Sequence, residues 1–329
     1  MSEIRTTKFR RNELLEKLLA ELGDDLQPSE KLLLSRCGRT EMKFPLILVM
    51  GPLRSGTTLF TQWLANTGLV AYPTNLLSRF YQAPIIGAKI QLLLTDPRYN
   101  FRDELGEFVQ QTEFKSENGK TKGVLAPNEF WYFWRRFLSE SGRDVWSDDE
   151  LRQSMDTQTM QGELAGMMDV FQKPFAAKGM LFNYNIPFLD SVLDKVLFVQ
   201  IKRDPVTNVS SVLDARRRQL GSEAAWYSFK IPEYEDMKDL DAVTQSAGQV
   251  YHIDKAVTRG MARVDESRKL VVQYEDFCRD PEQVFAQLVR KLDLSDNEYN
   301  GTAQFKVTRS DDLPERAAIE EALTRFSGK

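Results

Sequence analysis

The sequence predicts an α/β protein: a central parallel sheet with flanking helices, preceded by a helical N-terminal arm. Two observations carry most of that expectation. Pro45–Met50 and Lys195–Ile201 are nearly continuous apolar runs, as strands buried on both faces require. Each runs into a short turn and then into apolar residues at helical spacing. A third unit, Leu270–Tyr274 followed by Asp280-Pro281, repeats the order, and strands alternating with helices imply parallel pairing.

Along the chain, Leu14, Leu15, Leu18, Leu19 and Leu22 recur at helical spacing and stop at Gly23, predicting a helix over about 8–22. A second short helix is expected after Pro28, around Leu32–Leu34. Together they form the arm, residues 1–43, ahead of a domain over 44–329. The strand at Pro45–Met50 passes through Gly51–Thr58 into a helix carrying Leu59, Phe60, Trp63 and Leu64, closed by Gly68. Residues 75–175 are less regular and are expected to be an insertion. It holds a helical piece at Ile85–Leu94, a polar loop at Lys115–Lys122 and the aromatic run Phe130-Trp131-Tyr132-Phe133-Trp134. The strand at Lys195–Ile201 leads to a helix reaching about Arg218, with Asp204 as N-cap, Pro205 at the first helical position and Arg216–Arg218 at the negative end of the dipole. Asp280-Pro281 opens a helix whose Val284, Phe285, Leu288, Val289 and Leu292 share one face.

Composition excludes several chemistries. With 42% hydrophobic and 28% charged residues in 329, the chain is an ordinary globular one, long enough for two domains or one large α/β domain. Lys+Arg 44 against Asp+Glu 48 gives a net charge of −4, so no overall basic field attracts nucleic acid. One histidine, His252, and two distant cysteines, Cys37 and Cys278, leave no Cys/His zinc site and no CxxC pair. A Ser-His-Asp triad would depend on His252 alone. The stretch Met1–Arg11 is polar, and apolar runs such as Phe44–Met50 fall short of the roughly 20 residues of a membrane span. A cytoplasmic protein with reduced thiols is the expectation.

Gly51–Thr58 reads G-x-x-x-x-G-T-T. It matches a nucleoside-triphosphate loop except that Thr57 stands where that motif has its phosphate-binding lysine. Arg54 appears three residues earlier. Backbone N–H groups at a helix start still favour an anion, and an arginine fork suits a terminal two-centre anion better than a hydrolysable triphosphate. Arg203 closes a second strand at a second helix start, with Ser211 roughly two helical turns on, which makes a second phosphate site. Taken singly, each has a plainer reading: a tight βα turn, a surface arginine, a helix-surface hydroxyl.

Two such sites in this order resemble the sulfotransferases that use 3′-phosphoadenosine 5′-phosphosulfate (PAPS). Their 5′-phosphosulfate loop is similar to Arg54-Ser55-Gly56-Thr57-Thr58, and their 3′-phosphate motif to Arg203-Asp204-Pro205 with Ser211. The likeness runs over about 45–292 and takes in Lys178 and Tyr274-Glu275-Asp276-Phe277. The loop is nearer in style to the tyrosyl-protein and bacterial branches than to the cytosolic branch. The resemblance implies a P-loop-like fold and transfer of a sulfuryl group from PAPS to a hydroxyl, less readily an amine, of a small-molecule, lipid or glycan acceptor. PAP is the product and no metal is needed. It implies that Ser55, Gly56, Thr57 and Thr58 bind the 5′-phosphate, that Arg54 meets the sulfuryl group, that Arg203 and Ser211 hold the 3′-phosphate, that Lys178 lies near the sulfate, and that Tyr274 touches the nucleotide. The insertion would bind the acceptor.

The resemblance breaks at the general base. The cytosolic branch has a histidine where this chain has Met180, and the tyrosyl-protein and bacterial branches have a glutamate where it has Asn75. His252 lies well past the 3′-phosphate helix. Glu129, in Ala126-Pro127-Asn128-Glu129-Phe130-Trp131, is the best remaining carboxylate, with Asp96 and Asp103 behind it. Glu129 equally suits the start of a helix, Lys178 a solvated loop, and the aromatics at 130–137 either a pocket wall or a helix core face. Trp226–Lys230 is a further candidate to cap the site. Two alternatives stay open: an atypical P-loop kinase, and a nucleotide-binding relative that has lost its base.

Overall fold

The computed structural model describes residues 5–10, 12–37, 41–104, 116–117, 120–139, 143–294, 297–307 and 310–328. Four strands, β1 (Leu46–Met50), β2 (Phe175–Lys178), β3 (Val196–Lys202) and β4 (Lys269–Gln273), form one sheet in the order β2-β1-β3-β4. Every pair in it is parallel. The helices used below are α1 (Glu13–Cys37), α2 (Thr57–Asn66), α3 (Pro84–Thr95), α4 (Trp131–Arg135), α5 (Asp148–Ser154), α6 (Thr157–Phe171), α7 (Ile186–Val192), α8 (Pro205–Leu220), α9 (Tyr234–Met237), α10 (Ala242–Met261), α11 (Tyr274–Arg279), α12 (Pro281–Leu292) and α13 (Arg316–Ser327).

The apolar run of β1 is explained by its central place. Leu46, Leu48 and Met50 enter one core with Phe175, Phe198 and the α6 residues Leu164 and Met168. Ile47 and Val49 enter the other with Phe60 and Trp63 of α2, Phe277 of α11 and Leu288 of α12. Burial of each such side chain contributes about 1.5–3 kcal/mol. The amphipathic face expected of α12 is buried as expected. Gly68, at φ 73, follows the end of α2. Asp204 accepts the Thr207 N–H at 2.8 Å with Pro205 next to it, as the cap pattern predicts.

The order of strands places the site. From β1 the chain crosses to β2 on one side and then returns past β1 to β3 on the other. The carboxyl ends of β1 and β3 are therefore a topological switch point, where open α/β sheets bind ligands. Gly51–Thr58 leaves β1 there and Arg203 leaves β3.

Three local expectations are corrected. The arm is one helix, α1, not two, with Pro28 inside it. Gly23 does not end it; a Cβ there would meet the Gln82 side chain at 2.2 Å, so this glycine serves a close approach. Lys178 is not on a solvated loop; it ends a strand, β2, whose Phe-Ala-Ala-Lys sequence carries little β signature, and its side chain is 4% exposed. Tyr274 is not a strand residue; it is the first residue of α11.

Tertiary contacts hold α1 through its proline. Glu30, 1% exposed, reaches across to α3, where its carboxylate accepts the N–H groups of Ile85 (2.7 Å) and Ile86 (3.1 Å). It thus caps α3 from another helix. Glu30→Ala orphans both donors and is expected to cost about 1–3 kcal/mol, measurable as a lower denaturant midpoint.

Candidate active site

The loop after β1 is shaped by two backbone positions. Arg54 sits at φ 60 and Gly56 at φ 102. Gly56 is required doubly, because a Cβ would lie 2.2 Å from the Tyr274 ring beneath it. The loop is held at both ends: Gly51 and Asn183 exchange reciprocal hydrogen bonds (3.1 and 2.8 Å), and Asn208 donates to the Leu53 carbonyl at 2.7 Å. Gly56 caps α2, so its first N–H groups and the Thr57 and Thr58 hydroxyls gather at a positive helix end.

Arg203 joins the second strand to this loop. Its Nη1 donates to the Arg54 carbonyl at 2.9 Å, and its guanidinium lies 4.9 Å over the Tyr274 ring. Arg54 Nε donates to Ser211 Oγ at 3.3 Å. The residues expected to bind the two ends of one nucleotide are therefore neighbours: Arg54, Gly56, Thr57, Thr58, Arg203 and Tyr274 line one cavity, Ser211 is bonded to Arg54, and Ser55 is buried behind the loop. Arg203 Nε, on a residue that lines this cavity, has no protein partner among the described residues and can serve a ligand's acceptor.

Beside the loop lies a carboxylate–ammonium pair. Register pairs Lys178 with Val49, two residues before the loop. Its Nζ, on a side chain 4% exposed, donates to Thr58 Oγ1 at 2.7 Å and to Glu129 Oε1 at 2.9 Å. The Trp131 indole N–H donates to Glu129 Oε2. Burial alone would raise the Glu129 carboxyl. The Lys178 ammonium, its hydrogen bond, the Trp131 N–H and the Arg54 charge outweigh that effect and hold it below the usual glutamate range.

Glu129 is aimed from a distance. Asn75 Oδ1 accepts from Asn128 Nδ2 at 2.9 Å, its Nδ2 donates to the Gly123 carbonyl at 2.9 Å, and its N–H donates to the Ala126 carbonyl at 2.9 Å. Asn128 N–H donates to the Pro73 carbonyl at 2.7 Å. Phe130 then takes φ 57, uncommon for an aromatic residue. Of the six non-glycine residues at positive φ among those described, Arg54, Phe130 and Ser228 all lie at or beside this site. Strain of about 1–3 kcal/mol each is typical of positions that fix functional groups.

Arg54, Thr57, Thr58, Glu129, Trp131 and Arg203 line a cavity of about 1270 Å³, with Lys178 bonded to two of them from behind. A model of the sulfotransferase family matches residues 45–298. The chain belongs to the sulfotransferase family. Among solved structures, the fold is similar to that of sulfotransferase STF9 from Mycobacterium avium, with TM-score 0.52 and 16% identity over 100% of this chain and 79% of that one. It is also similar to sulfotransferase STF1 from Mycobacterium tuberculosis, with TM-score 0.53 and 18% identity over 92% and 82%. No curated protein matches by sequence.

Against the family pattern, the remaining candidates separate cleanly. Met180 lines the cavity, and the Thr57 hydroxyl points to its sulfur at 3.8 Å. His252 is on α10, paired with Glu233 at 3.4 Å and packed on Phe326, and is not among the residues lining the cavity. Asp96 caps a turn and binds the Arg98 guanidinium. The Asp103 side chain lies outside the described residues. The aromatic run divides: Phe130, Phe133, Trp134 and Phe137 are core, whereas Trp131 and Tyr132 line the cavity. Trp226–Lys230 lines it too, as an irregular segment. Sequence reasoning did not find the roles of Asn75 and Trp131. The spacing Asn128-Glu129-x-Trp131 was visible, but the clip across to 75 was not. No described helix is long and apolar enough to cross a membrane.

Proposed function

We propose that this sulfotransferase moves the sulfuryl group of PAPS to a hydroxyl of a small-molecule, lipid or glycan acceptor, with Glu129 as general base. The observation that carries the reading is the bridge made by Lys178, one ammonium bonded both to the anion loop at Thr58 and to the Glu129 carboxylate. It couples the place where negative charge develops to the group that removes a proton. The donor supplies the sulfuryl group and its leaving phosphate. Arg54, Lys178 and the N–H groups of the loop stabilise the charge on that phosphate. Glu129 accepts the proton from the acceptor hydroxyl as that oxygen bonds to sulfur. Arg203 and Ser211 hold the 3′-phosphate, with the Arg203 Nε free of any protein partner among the described residues. A carboxylate placed here favours an enzyme over a relative that has lost its base.

Thermal shift with 3′,5′-ADP and with Mg-ATP tests the donor. At about 100 times its dissociation constant, 3′,5′-ADP should stabilise the protein by about 2.7 kcal/mol. Stabilisation by Mg-ATP alone would replace this reading with the kinase one. Arg203→Ala should abolish the preference for 3′,5′-ADP over 5′-AMP; an unchanged preference counts against the 3′-phosphate assignment.

A further inference from the structure

The cavity extends well past the groups assigned to the donor. One stripe of α8 forms its wall, with Asp214, Arg218 and Gln219 beyond Ser211. At the far end the arm docks: Thr6 N–H donates to the Gln219 carbonyl at 3.0 Å and its hydroxyl to the Arg218 carbonyl at 3.2 Å. From Ser211 to Gln219 is about 12 Å along the helix at 1.5 Å per residue. The arm then crosses the cavity, lining it with Arg5, Arg10, Leu15 and Leu19, and the Tyr132 hydroxyl donates to Glu16 at 3.0 Å on the other side.

The charges on this wall do not balance. Arg135 pairs with Asp144 (2.9 Å), Arg218 with Asp214 (2.9 Å) and Lys178 with Glu129 (2.9 Å). Arg54 and Arg203 face the donor. Glu16 accepts from Tyr132, and Lys230 lies 4.2 Å over the Tyr234 ring. Arg5 and Arg10 have no ion pair among the described residues. They stand beside an apolar surface of Leu15, Leu19, Trp131 and Trp226, in a chain whose net charge is −4. With Lys230, that leaves three cations without an ion pair among the described residues against the one carboxylate of Glu16 on this wall, and a net positive wall with an apolar surface complements an anionic group on an apolar body.

We propose that the acceptor is an amphiphilic alcohol bearing an anionic group, its hydroxyl at Glu129, its apolar body against Leu15, Leu19, Trp131 and Trp226, and its anion on Arg5 and Arg10. This rests on the sulfuryl-transfer reading above. The same chemistry is found in a free ω-hydroxy acid and in an anionic lipid headgroup.

The test compares ω-hydroxydecanoate with decanol, by labelled-sulfate transfer and by quenching of tryptophan fluorescence on binding. Phosphatidylglycerol vesicles form a third arm. The hydroxy acid should be preferred about fivefold to tenfold, the range two partly exposed ion pairs supply, and the preference should shrink with added salt. In Arg5→Ala/Arg10→Ala the ratio should fall close to one through KM, with the affinity for 3′,5′-ADP retained. Transfer to vesicles but not to the free acid supports the same chemistry and assigns it to a lipid. Equal use of the two alcohols, or a ratio that survives the double variant, overturns the proposal. Loss of 3′,5′-ADP binding in that variant also overturns it, by assigning the arginines to the nucleotide. Failure of the wild-type protein to bind 3′,5′-ADP is a different result. It brings down the donor assignment, while the anion preference is still read from fluorescence.

Discussion

Glu129→Gln is expected to lower kcat for sulfate transfer by about 10²–10⁴, the usual contribution of a positioned general base, with the affinity for 3′,5′-ADP unchanged. The substitution keeps the size of the side chain and one acceptor oxygen, so the bond from Lys178 Nζ can persist while the one from the Trp131 N–H is given up. What it removes is the ability to take a proton. Trp131→Phe separates positioning from chemistry. It deletes the N–H that orients Glu129 Oε2 and leaves the carboxylate in place, so a smaller fall in kcat is expected. Quenched-flow measurement of labelled transfer, with nucleotide affinity measured separately, distinguishes these outcomes. Full activity of Glu129→Gln removes Glu129 as base. No neighbouring residue then inherits the role easily, since Met180 and Asn75 are not bases and His252 is paired with Glu233 outside the cavity.

Glu129 also shows where sequence reading stops. The strands β1 and β3 were legible because both faces are buried, which leaves a continuous apolar run. The turn and helix start at Gly51–Thr58, the Asp204-Pro205 cap and the face of α12 were legible because each is a local pattern. The role of a single carboxylate is not local. It depends on Asn75 clipping the segment before it, on Phe130 turning left-handed after it and on Lys178 arriving from β2. In the sequence Asn75 marks only a missing carboxylate, whereas its amide fastens the segment that carries Glu129, 54 positions later. The unbroken α1 was hidden for a related reason. Gly23 and Pro28 both signal a break, and only contacts such as Glu30 with α3 reveal why the helix continues.

Lys178→Met should produce two effects that no purely structural lysine would give together. The first is a loss of about 10²–10³ in kcat, the scale of removing one preorganised donor to developing charge. The second is a displaced pH profile. In the wild-type protein the Glu129 carboxyl is depressed, so the ionised base persists below the usual glutamate range and the acid limb of kcat/KM lies there. Lys178 supplies the largest of the forces that depress it, through both its charge and its hydrogen bond. Its removal leaves Trp131 and Arg54 against the upward push of burial, so the carboxyl rises and the acid limb moves to higher pH. Methionine fills much of the space of the lysine stem, which limits collapse around a side chain only 4% exposed. A fall in kcat with the limb unmoved would place Lys178 beside the sulfuryl group but outside the control of the base. An upward shift ties both roles to the one ammonium that touches Thr58 and Glu129.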